Sequence, residues 1–147
     1  MRHGKAGDRG RWAGDDRRRP LTGGGRRQAE ALVELFRELP IQRVVSSPYL
    51  RCVQTVEPLA RARGLAVEVE PRLAEGCGLA CFLEICAELG PGDLAVCCHG
   101  DLTQELVEDL RARRLAPTTE EGLKKAGTWV LELAGGRISA ARYIAPP

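Results

Sequence analysis

Aromatic side chains are scarce in this chain: two Trp, two Tyr and two Phe in 147 residues. So thin a supply gives no platform on which a bound strand could stack its bases. A net charge of +2 gives no broad basic footprint for nucleic acid either. No apolar run approaches the ~20 residues that cross a bilayer, so no membrane role is expected. The first residues lack the basic-then-apolar pattern of an export leader, and the expected compartment is the cytoplasm. Lysine is limited to Lys5, Lys124 and Lys125, so arginine carries the basic charge; Lys124 and Lys125 read as ordinary surface charge. Cysteine is present six times, at 52, 77, 81, 86, 97 and 98, but in no paired Cys-x-x-Cys spacing for zinc. Reduced thiols packed as small apolar residues are expected, with no metal and no cofactor.

Hydrophobic residues make up 44% and charged residues 29%, an ordinary balance for a globular chain long enough to bury a core. Residues 1–147 are expected to form a single domain. Thr22 can cap a helix whose apolar stripe runs Leu32, Val33, Leu35, Phe36 and Leu39, with Pro40 as a stop. Arg43 to Ser46 reads as a short buried strand, and a helix follows over about 49–63 to Gly64, with Pro58 inside it. Leu65 to Val69 alternates as a strand, residues 79–89 suit a helix, and Leu94 to Cys98 is a continuous apolar strand of the parallel-sheet kind. Cys97 and Cys98 should point to opposite faces of it. Leu102 to Arg113 is a further amphipathic helix, and 128–133 with 137–144 suit a hairpin across Gly135-Gly136. Strands alternating with helices predict an α/β fold: a three-layer α/β/α sandwich on a mostly parallel sheet. Ligands in such folds bind at the carboxyl ends of strands, where Arg2-His3, Ser46-Ser47 and His99 all fall.

The two histidines, His3 and His99, are each followed by glycine (Gly4 and Gly100) at the expected start of a loop. Glycine lets backbone approach a ligand closely, and functional groups sit on loops held by a rigid scaffold. The pair together points to chemistry; either one alone reads equally well as a satisfied polar group. His3 should follow a strand, as His99 does, yet almost nothing precedes it. The first strand is therefore expected to be truncated, leaving neighbouring backbone groups unpaired. Abundant Arg, Ala, Gly and Pro suggest a GC-rich genome, where GTG encodes valine and also starts translation, so Met1 is read as a misread internal valine. A domain cut from a longer protein and a chain that tolerates the loss are the alternatives.

A neutral, oriented imidazole is a nucleophile, and arginine presents a planar fork to phosphate oxygens. Arg2, Arg51 and His99 gathered around His3 would suit a phosphoryl group: His3 attacks phosphorus and the cations stabilise the equatorial oxygens. The leaving oxygen then needs a nearby carboxylic acid.

Arg2-His3-Gly4, Asp16 with Arg19-Pro20-Leu21-Thr22, the segment from Ser46-Ser47-Pro48 through Arg51 to Gln54-Thr55, Leu73-Ala74-Glu75-Gly76 and Cys98-His99-Gly100 together resemble the histidine phosphatase superfamily, the phosphoglycerate-mutase-like group. The Ser-Ser-Pro-x-x-Arg-x-x-Gln-Thr segment carries most of this; Arg-His-Gly alone would be weak. Within the group the chain is similar to small phosphohistidine phosphatases and to the phosphatase domain fused behind a Nudix domain in actinobacterial nucleotide-cleaning enzymes. The resemblance implies His3 as the phosphate-accepting nucleophile, with Arg2, Arg51 and His99 as the phosphate pocket and Glu75 as proton donor. Asp101, two residues past His99, is a rival donor or a helix-start residue. Gly4 and Arg19 are expected to line the site, and Ser47 either binds phosphate or ends its strand. Arg9, Arg11, Arg17, Arg18 and Arg19 crowd one loop around Trp12. That loop either grips a second phosphate and stacks a base or is a solvated stretch balanced by Asp8, Asp15 and Asp16.

The implied reaction is phosphatase chemistry through a phosphohistidine on His3. The implied partner is a phosphorylated small molecule, a nucleotide or a phosphohistidine protein, with a Nudix domain expected upstream in the nucleotide case. A non-catalytic phosphate-binding module is the rival from another class.

Overall fold

A computed structural model describes residues 1–116 and 120–147. The elements in chain order are α1 (Gly23–Leu35), β1 (Arg43–Ser46), α2 (Leu50–Ala62), β2 (Val67–Val69), α3 (Leu79–Leu89), β3 (Leu94–Cys97), α4 (Gly100–Ala112), β4 (Thr128–Ala134) and β5 (Arg137–Ile144). β1 pairs in parallel with β2 on one side and β3 on the other, giving the order β2-β1-β3. β4 and β5 form the expected antiparallel hairpin, with a register shift between Glu132 and Leu133.

Alternation along β1 and β3 sends neighbouring side chains to opposite faces. Val44 and Cys97 join Leu32, Phe36, Val56 and Leu59 in the core under α1 and α2. Val45 and Cys98 join Leu73, Ile85 and Leu102 in the core under α3 and α4. Helices therefore cover both faces of the sheet, the three-layer α/β arrangement expected. The adjacent cysteines divide between the two cores as predicted, and all six thiols are free.

Thr22 caps α1, its Oγ1 accepting from Gly25 N at 3.1 Å. The loop before it, residues 5–21, is irregular, carrying 3-10 turns at Arg9–Arg11 and Asp16–Arg18 and one bridge between Ala6 and Leu21. Gly25 is required for its closure: a Cβ there would lie 2.0 Å from the Lys5 carbonyl oxygen. Among the described residues no helix is long and apolar enough to cross a membrane.

Met1 to His3 forms no strand of its own. Arg2 makes one parallel bridge to Cys98, the Met1 amino group donates to Val96 O at 2.7 Å, and Cys98 N donates to Met1 O at 3.0 Å. Beyond that point the edge of β3 faces β4 across a cavity of about 970 Å³, lined by residues including Phe36, Phe82, Val96, Leu106, Val130 and Leu131. Among the described residues no strand lies between β3 and β4.

Candidate active site

The carboxyl ends of the parallel strands gather the predicted residues, as the architecture requires. His3 follows the Arg2 bridge, Ser46 and Ser47 end β1, Arg51 occupies the first turn of α2, and His99 is the N-cap of α4. Glu75 arrives from the turn after the 3-10 segment Pro71–Leu73. A pocket of about 650 Å³ opens here, with Arg2, His3, Glu75, His99, Gly100 and Asp101 in its wall.

His3 is buried, and its Nδ1 lies 2.8 Å from Gly4 O. A carbonyl only accepts, so Nδ1 carries the proton and Nε2 keeps its lone pair. Arg51 Nε donates toward that lone pair at 3.3 Å. Burial is the main cause that pushes the His3 pKa down to about 3; Arg51, His99 and Arg2 push the same way, against the Gly4 bond. His3 is therefore neutral at physiological pH, the form a nucleophile needs.

His99 stands with its ring centroid 5.6 Å from that of His3. Its Nε2 is 2.7 Å from Ser47 Oγ and its Nδ1 is 3.5 Å from Arg51 Nη2. Burial first, then Arg51, lowers its pKa to about 4, with Glu75 and Asp101 opposing. Ser47 is fully buried and bonds the far nitrogen of His99, so it orients this ring; it stands behind the pocket wall, as do Arg51 and Gly4, whose backbone holds His3 instead of lining the site as expected.

Arg51 is fully buried at the centre. Its Nη1 donates to Asp16 O at 2.8 Å and pairs with Asp16 Oδ2 at 3.1 Å; its Nη2 donates to Glu75 Oε1 at 2.6 Å. The Tyr49 ring lies 4.4 Å below the guanidinium and also meets His99 edge-on at 4.5 Å. Arg2 Nη1 donates to Leu123 O at 2.5 Å, and its guanidinium crosses Gly100, where a Cβ would come within 2.9 Å of Arg2 Cζ. The glycine after the second histidine is thus the seat of an arginine.

The two rival carboxylates separate. Glu75 Oε1 lies 3.6 Å from His99 Nδ1, and the Glu75 side chain is one-third exposed, at 33%. Asp101 Oδ1 accepts from Leu102 N at 2.8 Å in the first turn of α4, and its Oδ2 accepts from Gly76 N at 2.6 Å. Asp101 therefore holds the turn that carries Glu75.

Of the five arginines on the loop after His3, Arg9 and Arg19 line the pocket and Arg11, Arg17 and Arg18 do not. Arg19 is buried, with Nε on Asp16 Oδ1 at 2.7 Å and Nη1 on Gly7 O at 2.6 Å. That Arg19 bond is the main cause holding the Asp16 carboxyl down at about 2. Trp12 is exposed, its indole N–H on Asp15 O at 3.0 Å, and is not in the pocket wall. Lys125, read from sequence as ordinary surface charge, does line the pocket; burial lowers its pKa, and Arg2 and Arg19 lower it further.

Three further residues build the site: Thr55 and Gln54, to which the sequence assigned no role, and Asp16, read there only as a charge-balancing acid of the loop. Thr55 Oγ1 accepts from Gly4 N at 2.9 Å and donates to Arg51 O at 2.6 Å, tying the His3 loop to α2. Gln54 Oε1 accepts from Leu21 N at 2.9 Å, tying down the other end of that loop. Asp16 gathers Arg9, Arg19 and Arg51. The signal for all three was their place in the quoted motifs.

The family model for the histidine phosphatase superfamily (branch 1) matches residues 1–80. An 8-oxo-(d)GTP phosphatase of Mycolicibacterium smegmatis is 37% identical over 154 residues, covering 100% of this chain and 47% of that protein. The chain thus spans about half the length of this curated relative. The protein histidine phosphatase SixA, solved with tungstate, superposes with a TM-score of 0.74 at 25% identity over 99% of this chain and 94% of its own. A SixA from Agrobacterium tumefaciens, described as a phosphohistidine phosphatase, superposes at 0.80 with 22% identity over 99% and 96%, a likeness of fold. With family match, fold and the His3, Arg51 and His99 cluster in agreement, the chain belongs to the histidine phosphatase superfamily.

Proposed function

We propose that this chain releases phosphate in two steps through a phosphohistidine on Nε2 of His3. In the first, Nε2 bonds to phosphorus as the bond to the leaving oxygen breaks, and that oxygen takes a proton from Glu75. In the second, water attacks phosphorus and gives its proton to Glu75, the P–N bond breaks, and orthophosphate leaves. Arg2, Arg51 and His99 meet the charge on the phosphoryl oxygens; a bound dianion favours the imidazolium form of His99.

The reading rests above all on the state of His3: buried, neutral, its Nδ1–H spent on Gly4 O, and its Nε2 lone pair beside Arg51. A non-catalytic module would have no need to hold that tautomer. Glu75 is assigned as the donor because it reaches His99 and Arg51 while Asp101 is committed to backbone amides.

For the substrate we favour the terminal phosphate of a nucleoside polyphosphate. The relative named as an 8-oxo-(d)GTP phosphatase supports this, as do Arg9 and Lys125 in the pocket wall. A pocket of about 650 Å³ suits a small molecule of that size. The fold likeness to SixA makes protein phosphohistidine the second reading. Phosphate release from p-nitrophenyl phosphate, a phosphohistidine peptide and nucleoside di- and triphosphates tests both, with His3→Ala as control. Release that persists in His3→Ala contradicts the mechanism, and preference for the peptide over nucleotides contradicts the favoured substrate.

A further inference from the structure

Glu75 is held by two arginines of very different character. Arg51 is fully buried, fixed by Asp16 and stacked on Tyr49, and donates to Glu75 Oε1 at 2.6 Å. Arg9 donates to the same oxygen at 2.5 Å, but its side chain is 60% exposed and rises from a 3-10 turn on the irregular loop. Its Nη2 alone makes both bonds, to Glu75 and to Asp16 Oδ2 at 3.0 Å; among the described residues its Nε and Nη1 make none. An exposed guanidinium with unspent donors in the pocket wall can exchange partners with little rearrangement. An exposed ion pair of this kind is weakly held, whereas a phosphoryl oxygen receives arginine's fork through strong charge-assisted bonds.

We propose that Arg9 is a latch on Glu75 that a phosphoanhydride substrate opens. The phosphoryl group next to the scissile one takes the guanidinium, which then neutralises charge on the departing phosphate. Glu75 is released from its outer partner as this happens. An ordinary ester carries no second phosphoryl group, so Arg9 stays on Glu75 and hinders delivery of the proton that an alkoxide leaving group requires. Arg9 thus acts as a specificity residue toward anhydrides and as a positioning residue, through Glu75, toward esters. This rests on the reading of His3 as nucleophile and Glu75 as proton donor.

The test is steady-state kinetics on GDP and GMP with the parent chain, Arg9→Ala, Arg9→Lys and His3→Ala. In Arg9→Ala, kcat/KM for GDP should fall about tenfold or more, through a higher KM for the lost ground-state contact and a lower kcat for the unneutralised departing phosphate. For GMP it should rise several-fold, through kcat. Arg9→Lys should restore much of the GDP KM, since a cation returns. Opposite signs on the two substrates are what a merely structural role cannot produce. Losses of equal size on both, or no change on either, overturn the latch while leaving the mechanism intact. Phosphate release that survives His3→Ala defeats the underlying mechanism instead.

Discussion

Replacing Thr55 by valine is the sharpest test of how this fold aims its nucleophile. The side chain is fully buried, and Val matches its shape, so no cavity opens. What disappears is the hydroxyl that accepts from Gly4 N at 2.9 Å and donates to Arg51 O at 2.6 Å. Gly4 is buried, so its N–H is left with no acceptor, at about 1–3 kcal/mol. The bond to Arg51 O is local to α2 and adds less, so the total loss is about 2 kcal/mol. With a urea slope of about 2 kcal/mol/M, the unfolding midpoint should fall by about 1 M. Activity should fall further than stability suggests. Gly4 adjoins His3 and its carbonyl holds Nδ1 at 2.8 Å, so the imidazole moves with the loop. A shift of the order of 1 Å costs about 100-fold in rate, and a 10- to 100-fold drop in kcat/KM is expected under conditions where Thr55→Val is folded. Thr55→Ser keeps the hydroxyl and should keep most of the activity. A valine variant as stable and active as the parent, or a serine variant equally crippled, refutes this account of Thr55.

Acid should destabilise the protein before its carboxylates protonate. His3 and His99 have folded pKa values lowered to about 3 and 4, so below about pH 6.5 the unfolded chain binds more protons, and stability falls until pH 3–4. Asp16, held at about 2, adds a separate loss below pH 4. Urea midpoints from pH 7 to 4 should decline and His3→Asn should flatten that decline; a flat profile in the parent contradicts the buried neutral state. Gly25→Ala sets a Cβ 2.0 Å from the Lys5 carbonyl oxygen, backbone against backbone, and should cost about 3 kcal/mol or more. Gly100→Ala meets the Arg2 side chain first, at 2.9 Å, and that side chain can shift, so thermal melting should find it nearly as stable as the parent while KM for a phosphate substrate rises about tenfold. Cys98 N donates to Met1 O, so by alternation the Leu94 and Val96 amides face the open cavity while Ala95 and Cys97 face β1. Hydrogen exchange should be faster at 94 and 96 than at 95 and 97.

Elements with strong local signals were legible in the sequence. Thr22 caps α1 as its hydroxyl predicted, and the two-residue period of a strand sent the neighbouring Cys97 and Cys98 to opposite cores as expected. Boundaries shifted where tertiary contacts decide. The stripe from Leu32 to Leu39 predicted one helix, but α1 ends at Leu35 and Phe36 caps it. Strand β3 stops at Cys97 because Cys98 turns its backbone to Met1 and Arg2. Helix α4 begins at Gly100, two residues earlier than expected, since His99 itself serves as N-cap. At the site, the residues that present chemistry could be named from motif and type. Those that hold them stood in the quoted motifs, but their partners could not be named, because the bonds from Thr55 to Gly4 and from Gln54 to Leu21 span 51 and 33 residues. Lys125 was misread for the same reason: the fold, and nothing in its neighbours, carries it to the pocket.

The central claim is that His3 carries the phosphoryl group in transit. Mixing the chain with a phosphorylated substrate, quenching within one turnover in alkali and mapping the phosphate by mass spectrometry tests it directly. The account predicts an acid-labile, alkali-stable phosphate on His3, absent in His3→Ala and longer-lived in Glu75→Gln, where the water that clears it has lost its base. Turnover with no phosphate on His3 at any quench time, or turnover that survives His3→Ala, would contradict it.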